Sequence, residues 1–345
     1  MKRFRFFGGR IVKTGIAVFL TSLICQWLDW PAVFAVITAI VTIEPTAADS
    51  IRKGLIRFPA SAIGSAYAVL FIFLFGNSPI TYTAAAVCTI VTCFRLKLHS
   101  GLLVATLTSV AMIEVIHSNF LISFLIRLGT TSIGLLISTA VNLFVFPPNY
   151  SKLILNNIHS MARTTGIELE NILKAILAEK KPDYQQIRDT FSQLKRKLDK
   201  TEMLIRFQKE ESKYHRFDEQ SKKVFRSEQE KLAALRLIHY HIGNLINTPL
   251  NTLLWTDQEK QKVCQTVESL ATALKNPDKF SSEAHRNQIQ SLMTQFWKSK
   301  KDAADPKEKD SPTFFTAEII ILYEILSIYN LVEDLLDEED FSVPE

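Results

Sequence analysis

The sequence predicts an all-α polytopic membrane protein: six transmembrane helices within residues 1–150, followed by a cytoplasmic helical bundle, residues 151–345. Three observations carry this. Apolar residues make up 47% of the 345-residue chain, too many for an ordinary soluble protein, while 22% charged residues are too many for a chain embedded throughout. Charge is partitioned, with 11 Lys or Arg against 4 Asp or Glu in residues 1–150 and 29 against 31 in the remainder. Apolar runs at 11–28, 31–44, 58–76, 79–94, 101–117 and 120–146 approach the roughly 20 residues that cross a bilayer core.

The first run follows the basic stretch "KRFRFFGGR", as in a secretory signal, but "LICQWLDW" puts bulky residues where a cleavage site needs small ones. It is read as a retained span. The second and fifth runs are short and end near Glu44 and Glu114, so four or five spans is the alternative count. Orientation follows from Lys and Arg, which short loops hold on the cytoplasmic side. Lys2, Arg3, Arg5, Arg10 and Lys13, then Arg52, Lys53 and Arg57 in the second loop, then Arg95 and Lys97 in the fourth, share one side; "LDWP", "GNSP" and "HSNF" carry none. Six spans return the chain to the cytoplasm at Pro147 and Pro148, which predicts a multi-pass plasma-membrane protein with both termini inside. Cys25, Cys88 and Cys93 fall in spans and Cys264 in the bundle, so no disulfide framework is expected.

The first half also repeats itself. A shift of 70 residues lays "GLIRFPASAIG" (54–64) on "FLIRLGTTSIG" (124–134) and pairs Ala35 with Ala105, Thr38 with Thr108 and Ile43-Glu44 with Ile113-Glu114. Nine of the 34 positions from Pro31 to Gly64 are identical in the second copy. Shared membrane composition explains apolar matches, but not a Glu and an Arg each falling on its twin. Three spans per copy is an odd number, so the copies must be inverted, the recurring architecture of secondary transporters.

The twin arginines are the candidate site. An Arg at the centre of a membrane helix costs about 2.5 to 3.5 kcal/mol and persists there when it faces protein or water. The plainer reading is a lipid anchor with its head at the phosphates. That reading suits Arg57, beside Arg52 and Lys53, better than Arg127, which follows the apolar "FLISFLI". Glu44 and Glu114 are either helix-end carboxylates in the headgroups or proton-titratable groups in a cavity. The small face Ala60, Gly64, Ala68 suits close contact with another helix, and six spans offer little material to enclose a path, so a homo-oligomer is expected.

The stretch "FAVITAIVTIEPTAADSIRKGLIRFPASAIGSAYA" resembles the aromatic acid exporter and fusaric acid resistance superfamily, and is similar to the plant aluminium-activated malate transporters. Lys53, Gly54, Leu55 and Arg57 match the superfamily's basic residue, Gly, Leu, any residue and Arg. Glu44 matches the acidic position of the plant members. Arg127, Thr131, Gly134, Val141, Asn142 and the Pro147-Pro148 ending resemble its sixth span. Pro59 stands where the family often has Gly, and the doubled twelve-span layout of longer members is absent. The bacterial aromatic acid exporter family is the nearest likeness. It implies export of organic, aromatic anions; joined to the repeat and its paired charges, this puts Arg57, Arg127, Lys53 and Asn142 along the expected substrate path and makes Glu44 and Glu114 the candidates for proton coupling.

The second half steps by threes and fours through Ile154, Ile158, Met161, Thr165, Leu169, Ile172 and Ile176, then Ile187, Phe191, Leu194, Leu198 and Ile205, then Leu235, Ile238, Ile242 and Leu245. Breaks are expected at "KKPD", "NTP", "KNPDKFSS" and "KSKKDAADPKEKDSP", giving about six helices. The last, "TAEIIILYEILSIYNLVEDLLDEEDF", is apolar on most sides, yet Glu318, Glu324 and Glu333 argue for a buried bundle helix over a seventh span. "LKRKLDK" reads as a solvated face, with lipid headgroup contact as the alternative.

Enzyme signatures are wanting. "GGRIVKTG" lacks the glycine spacing of a phosphate loop, and His239 and His241 point to different sides of a helix; HExxH, GxSxG and paired CxxC are absent. The expectation is a permease, not an enzyme, exporting carboxylate anions on an ion gradient. Membrane lipid is the expected surrounding, with no cofactor, metal or nucleic acid. A passive anion channel and a membrane-anchored scaffold are the alternatives.

Overall fold

The computed structural model describes residues 8–115, 120–177, 184–214, 218–248, 253, 255–277, 280–303 and 316–336, and every regular element among them is helical. The chain forms two compact units, residues 1–149 with 207–216, and residues 150–206 with 217–345.

The first unit holds α1 (Gly9–Trp27), α2 (Ala32–Thr42), α3 (Ala47–Phe75), α4 (Pro79–Arg95), α5 (Leu102–Val115), preceded by a 3-10 turn at His99–Gly101, and α6 (Phe120–Phe144). Of the six, α1, α3 and α6 are long and apolar enough to cross a membrane, while α2, α4 and the turn with α5 are shorter apolar helices. The expected six spans therefore correspond to six helices, three of which reach spanning length.

One boundary is corrected. The third apolar run suggests a helix from 58, but α3 begins at Ala47, and Asp49, Arg52, Lys53 and Arg57 lie on it, not in a loop. Thr46 starts the helix by accepting the Asp49 amide, the Thr-x-x-Asp capping pattern. At 29 residues α3 is about 43 Å long, so its polar first turns outreach an apolar core of about 30 Å. Pro59 sits inside the helix, next to the buried Ala60 and Ser61.

The packing repeats with the sequence. Helix α3 packs on α5, and α6 on α2; α1 packs on α2 and α6, and α4 on α5 and α3. Exchanging α1 with α4, α2 with α5 and α3 with α6 maps this set onto itself. Residue detail agrees: a Cβ added at Gly64 would run into the Ala105 carbonyl, and one at Gly134 into the Ala35 carbonyl, the same pair displaced by 70. Helices α3 and α6 run antiparallel, because Ser61 meets Thr131 while Ser50, eleven residues before Ser61, meets Asn142, eleven after Thr131. The buried stripe of α1 (Lys13, Ala17, Thr21, Cys25) is matched on α4 by Thr81, Ala85, Thr89 and Cys93. The small face Ala60, Gly64, Ala68 is buried inside the chain and is not free for a second copy, because Gly64 admits α5 to backbone distance.

The second unit is built from α7 (Ser151–Leu177), α8 (Tyr184–Glu211) up to Arg206, α9 (Glu219–Asn247), α10 (Asp257–Lys275), α11 (Ser282–Ala303) and α12 (Ala317–Leu336). The seven α7 positions read from the sequence are all buried, as are Leu235, Ile238, Ile242 and Leu245 on α9. Helix α12 buries Glu318 and Glu324; the Glu324 carboxylate accepts from Asn244 at 3.0 Å and meets the His241 ring at 2.5 Å. "KKPD" lies outside the described residues. "KSKK" continues α11 as helix, and the turn between α8 and α9 at 212–214 has no counterpart among the expected breaks.

Candidate functional site

The site is built around two twin positions that the fold treats differently. At the α2–α3 junction Pro45 supplies no amide, and the residue before a proline is driven out of the helical region, so the chain is unwound from Ile43 to Thr46. The break turns the Glu44 side chain back onto α3. Its carboxylate is held by Arg57 Nη2 at 2.7 Å and Lys53 Nζ at 2.8 Å, and Arg57 Nε also donates to the Ser100 carbonyl at 3.3 Å. Arg57 is 7% exposed and shares the Glu44 carboxylate with Lys53, while its Nη1 finds no hydrogen-bond partner among the described residues.

The carbonyls released by the break are taken up by side chains. The Asn142 amide nitrogen lies 3.1 Å from the Glu44 and Thr46 carbonyls and 2.8 Å from Ser50 Oγ. Lys13, 6% exposed, donates to Asn142 Oδ1 at 2.8 Å and to its carbonyl at 3.2 Å, while Arg10 reaches the Ile43 carbonyl at 3.1 Å. Asn142 and Lys13 thus splint an unwound segment.

Among the described residues Arg127, the twin of Arg57, has no such partner. Glu114 stays within α5, whose helix continues to Val115, so its side chain is not folded back; it is exposed and accepts a hydrogen bond from the Tyr82 hydroxyl. Arg127 is 4% exposed, donates through Nη2 to Thr108 Oγ1 and lies 4.2 Å over the Phe34 ring. Its Nε and Nη1 find no hydrogen-bond partner among the described residues. A cavity of about 70 Å³ adjoins it, lined by Pro31, Phe34, Met112, Ser123 and Thr130 among others, and a groove of about 480 Å³ around Trp30, Gln26 and Asp29 shares Pro31 with it. A buried guanidinium with open donors, an aromatic face and a small cavity can take a carboxylate through the paired geometry that the fork favours.

Of the six residues singled out in the sequence, the structure gathers Glu44, Lys53 and Arg57 into one cluster with Asn142 beside it, and leaves Arg127 and Glu114 apart from it and from each other. Lys13 and Phe34 join the site only in the structure. Lys13 counted only as an N-terminal positive charge, although its four-residue spacing to Ala17, Thr21 and Cys25 marks the buried side of α1.

Residues 5–145 match the family described as Aromatic acid exporter family member 1. UPF0421 proteins are similar over almost the whole chain: that of Oceanobacillus iheyensis is 47% identical over 97% of this chain and 96% of its own. One from Bacillus cereus is 44% identical over 97% and 94%, and one from Staphylococcus haemolyticus 37% identical over 96% and 97%. The chain belongs to the UPF0421 family, and its residues 5–145 are similar to the aromatic acid exporter family. The matched stretch includes the twin arginines, both glutamates and Asn142.

Proposed function

We propose that the chain is a plasma-membrane permease that exports organic carboxylate anions, aromatic ones included, with Arg127 as the anion-binding group. The observation that carries this is the Arg127 guanidinium, buried over Phe34 with two donor positions open and with no carboxylate paired to it among the described residues. Leaving a charge unpaired in a low-dielectric interior costs several kcal/mol, which is hard to explain as an aid to stability and is natural for a site that a mobile anion completes. Arg57, already held by Glu44, then steers the anion at the other end of the path; Lys53 and Asn142 support it by holding Glu44 and the break.

The reading takes α1 to α6 as six membrane crossings, with the three short helices shielded by the long ones, and both termini cytoplasmic. The bundle formed by the second half is then cytoplasmic. The antiparallel α3–α6 pair corresponds to an inverted repeat, whose interface is where such transporters bind substrate. A cavity of about 70 Å³ is far below the roughly 300 Å³ of ordinary ligand pockets, so admission of an organic anion requires the groove beside Trp30 to open toward it. With no nucleotide-binding pattern in the sequence, the driving force is an ion gradient. Efflux of benzoate, and of aliphatic carboxylates, from loaded proteoliposomes tests the proposal. Efflux that requires the protein and responds to a pH gradient supports it, a current that follows voltage alone makes the protein a passive channel, and no flux of any carboxylate refutes it.

A further inference from the structure

The groove beside Trp30 and the cavity beside Arg127 meet at Pro31, and the Trp30 ring stands at that junction. Helix α1 ends in a turn in which Asp29 takes φ 55° and the Trp30 amide donates to the Cys25 carbonyl at 2.9 Å. From there the indole reaches α6 and rests on Gly129. A Cβ at Gly129 would lie 2.4 Å from the ring's Cζ3 and 2.7 Å from its Cη2. The glycine is thus a notch for the ring, two residues from Arg127 and next to Thr130, which lines the cavity.

A tryptophan at the end of a membrane helix commonly serves as an interfacial anchor. Trp27, 90% exposed, suits that role; Trp30 is half-buried, with its ring seated on α6. Nor does the fold require this seat, because the other half of the repeat lacks it. The end of α4 makes the same turn, with Lys97 at φ 59° and the Leu98 amide donating to the Cys93 carbonyl at 2.8 Å, so Leu98 is the equivalent of Trp30. His99 and Ser100 are two extra residues that then restore the 70-residue spacing. Leu98 packs on the small residues Ala60, Cys93 and Ala105. The twin of Gly129 is Pro59, and that of Phe34 is Val104. Of the two arginines, the one held by Glu44 is accompanied by Leu98, Pro59 and Val104, whereas the one with open donors has two aromatic rings and a notch.

We propose that the Trp30 ring is a gate between the groove and the Arg127 cavity, latched in the notch of Gly129, and that an anion reaches Arg127 when the ring leaves that notch. The gate's part in transport rests on the permease reading; its control of access to the cavity does not. Access is tested on the full-length protein in nanodiscs carrying Thr130→Cys, at a position fully buried in the closed arrangement. The rate at which a small anionic methanethiosulfonate labels residue 130 is read by mass spectrometry, with Cys264 in the bundle as the reference. Labelling is expected to be slow with Trp30 in place. Trp30→Ala is expected to raise the rate at least about tenfold, because an open state populated at roughly 10% or less becomes permanent. Gly129→Ala, which keeps the tryptophan but fills its notch, is expected to raise the rate several-fold, and to add nothing once Trp30 is replaced by alanine. A rate unchanged by Trp30→Ala or by Gly129→Ala, or one that Gly129→Ala raises equally without Trp30, overturns the gate. Benzoate efflux from proteoliposomes then tests its part in transport: a several-fold change in Trp30→Ala supports it, and a rate equal to the unsubstituted protein overturns it. If no variant passes benzoate, the permease reading fails while the labelling rates still decide the gate.

Discussion

Ser61 and Thr131, 70 residues apart, face each other with their hydroxyl oxygens 3.4 Å apart at the crossing of α3 and α6. They are equivalent positions of the repeat, and equivalent positions touch where a two-fold axis passes between them. The contacts of Gly64 with Ala105 and of Gly134 with Ala35 lie on either side of that crossing and exchange under the same operation. Each glycine lets a neighbouring helix approach to backbone distance, which no residue with a Cβ permits.

The two glycines should therefore respond alike to substitution. Gly64→Val and Gly134→Val are each expected to destabilise by about 3 kcal/mol or more, since neither neighbour is a side chain that can swing aside. Gly15→Ala, where nothing lies within 4 Å, is expected to stabilise by roughly 0.5 kcal/mol through helix propensity. Thermal unfolding in mild detergent measures all three.

Arg127→Lys is expected to keep insertion and abundance but to lose benzoate flux at least about tenfold, because one ammonium cannot reproduce a planar fork that spans Thr108 and an incoming carboxylate. Arg57→Lys should lose less, since Glu44 already answers its charge within the chain. Full flux in Arg127→Lys at equal protein level makes Arg127 a buried structural cation that any positive head can replace.

Glu44 and Glu114 should separate. Glu44→Gln leaves Arg57 and Lys53 without their common partner and is expected to destabilise by about 3 kcal/mol, partly relieved when Arg57→Met is added. Glu114→Gln, at an exposed site, should stay within about 0.5 kcal/mol. If either carboxylate couples export to protons, its Gln variant abolishes the response of benzoate efflux to a pH gradient; an unchanged response in both removes them from coupling.

The bundle holds a titration that stability can report. Burial pushes the Glu228 carboxyl, 2% exposed, from 4.5 up to about 7, with the charge of Lys231 opposing. A carboxyl whose folded pKa lies above its unfolded value costs nothing below pH 4.5, and it penalises the fold increasingly from there to about pH 7. Glu228→Gln is accordingly expected to stabilise by on the order of 2 to 3 kcal/mol at pH 8 and by little at pH 4, read from the midpoint of urea unfolding.

What the sequence determined by itself was periodic. Burial along one helix follows from the spacing of its own side chains, so the α7 stripe from Ile154 to Ile176 and the α9 stripe from Leu235 to Leu245 were legible, as was the 70-residue repeat. The capping pattern of Thr46 and Asp49 is also present in the sequence, but the apolar run, which begins at 58, marks only the apolar part of a helix that starts eleven residues earlier. Only the tertiary structure decided which of the twin arginines carries an unanswered charge. Arg57 and Arg127 occupy equivalent positions, and so do Glu44 and Glu114. The difference arises because Pro45 ends a helix and folds one carboxylate back across α3, while α5 continues past the other and carries it out to Tyr82. Such a pairing depends on the path of the chain between two elements, a long-range property that spacing along either one does not contain.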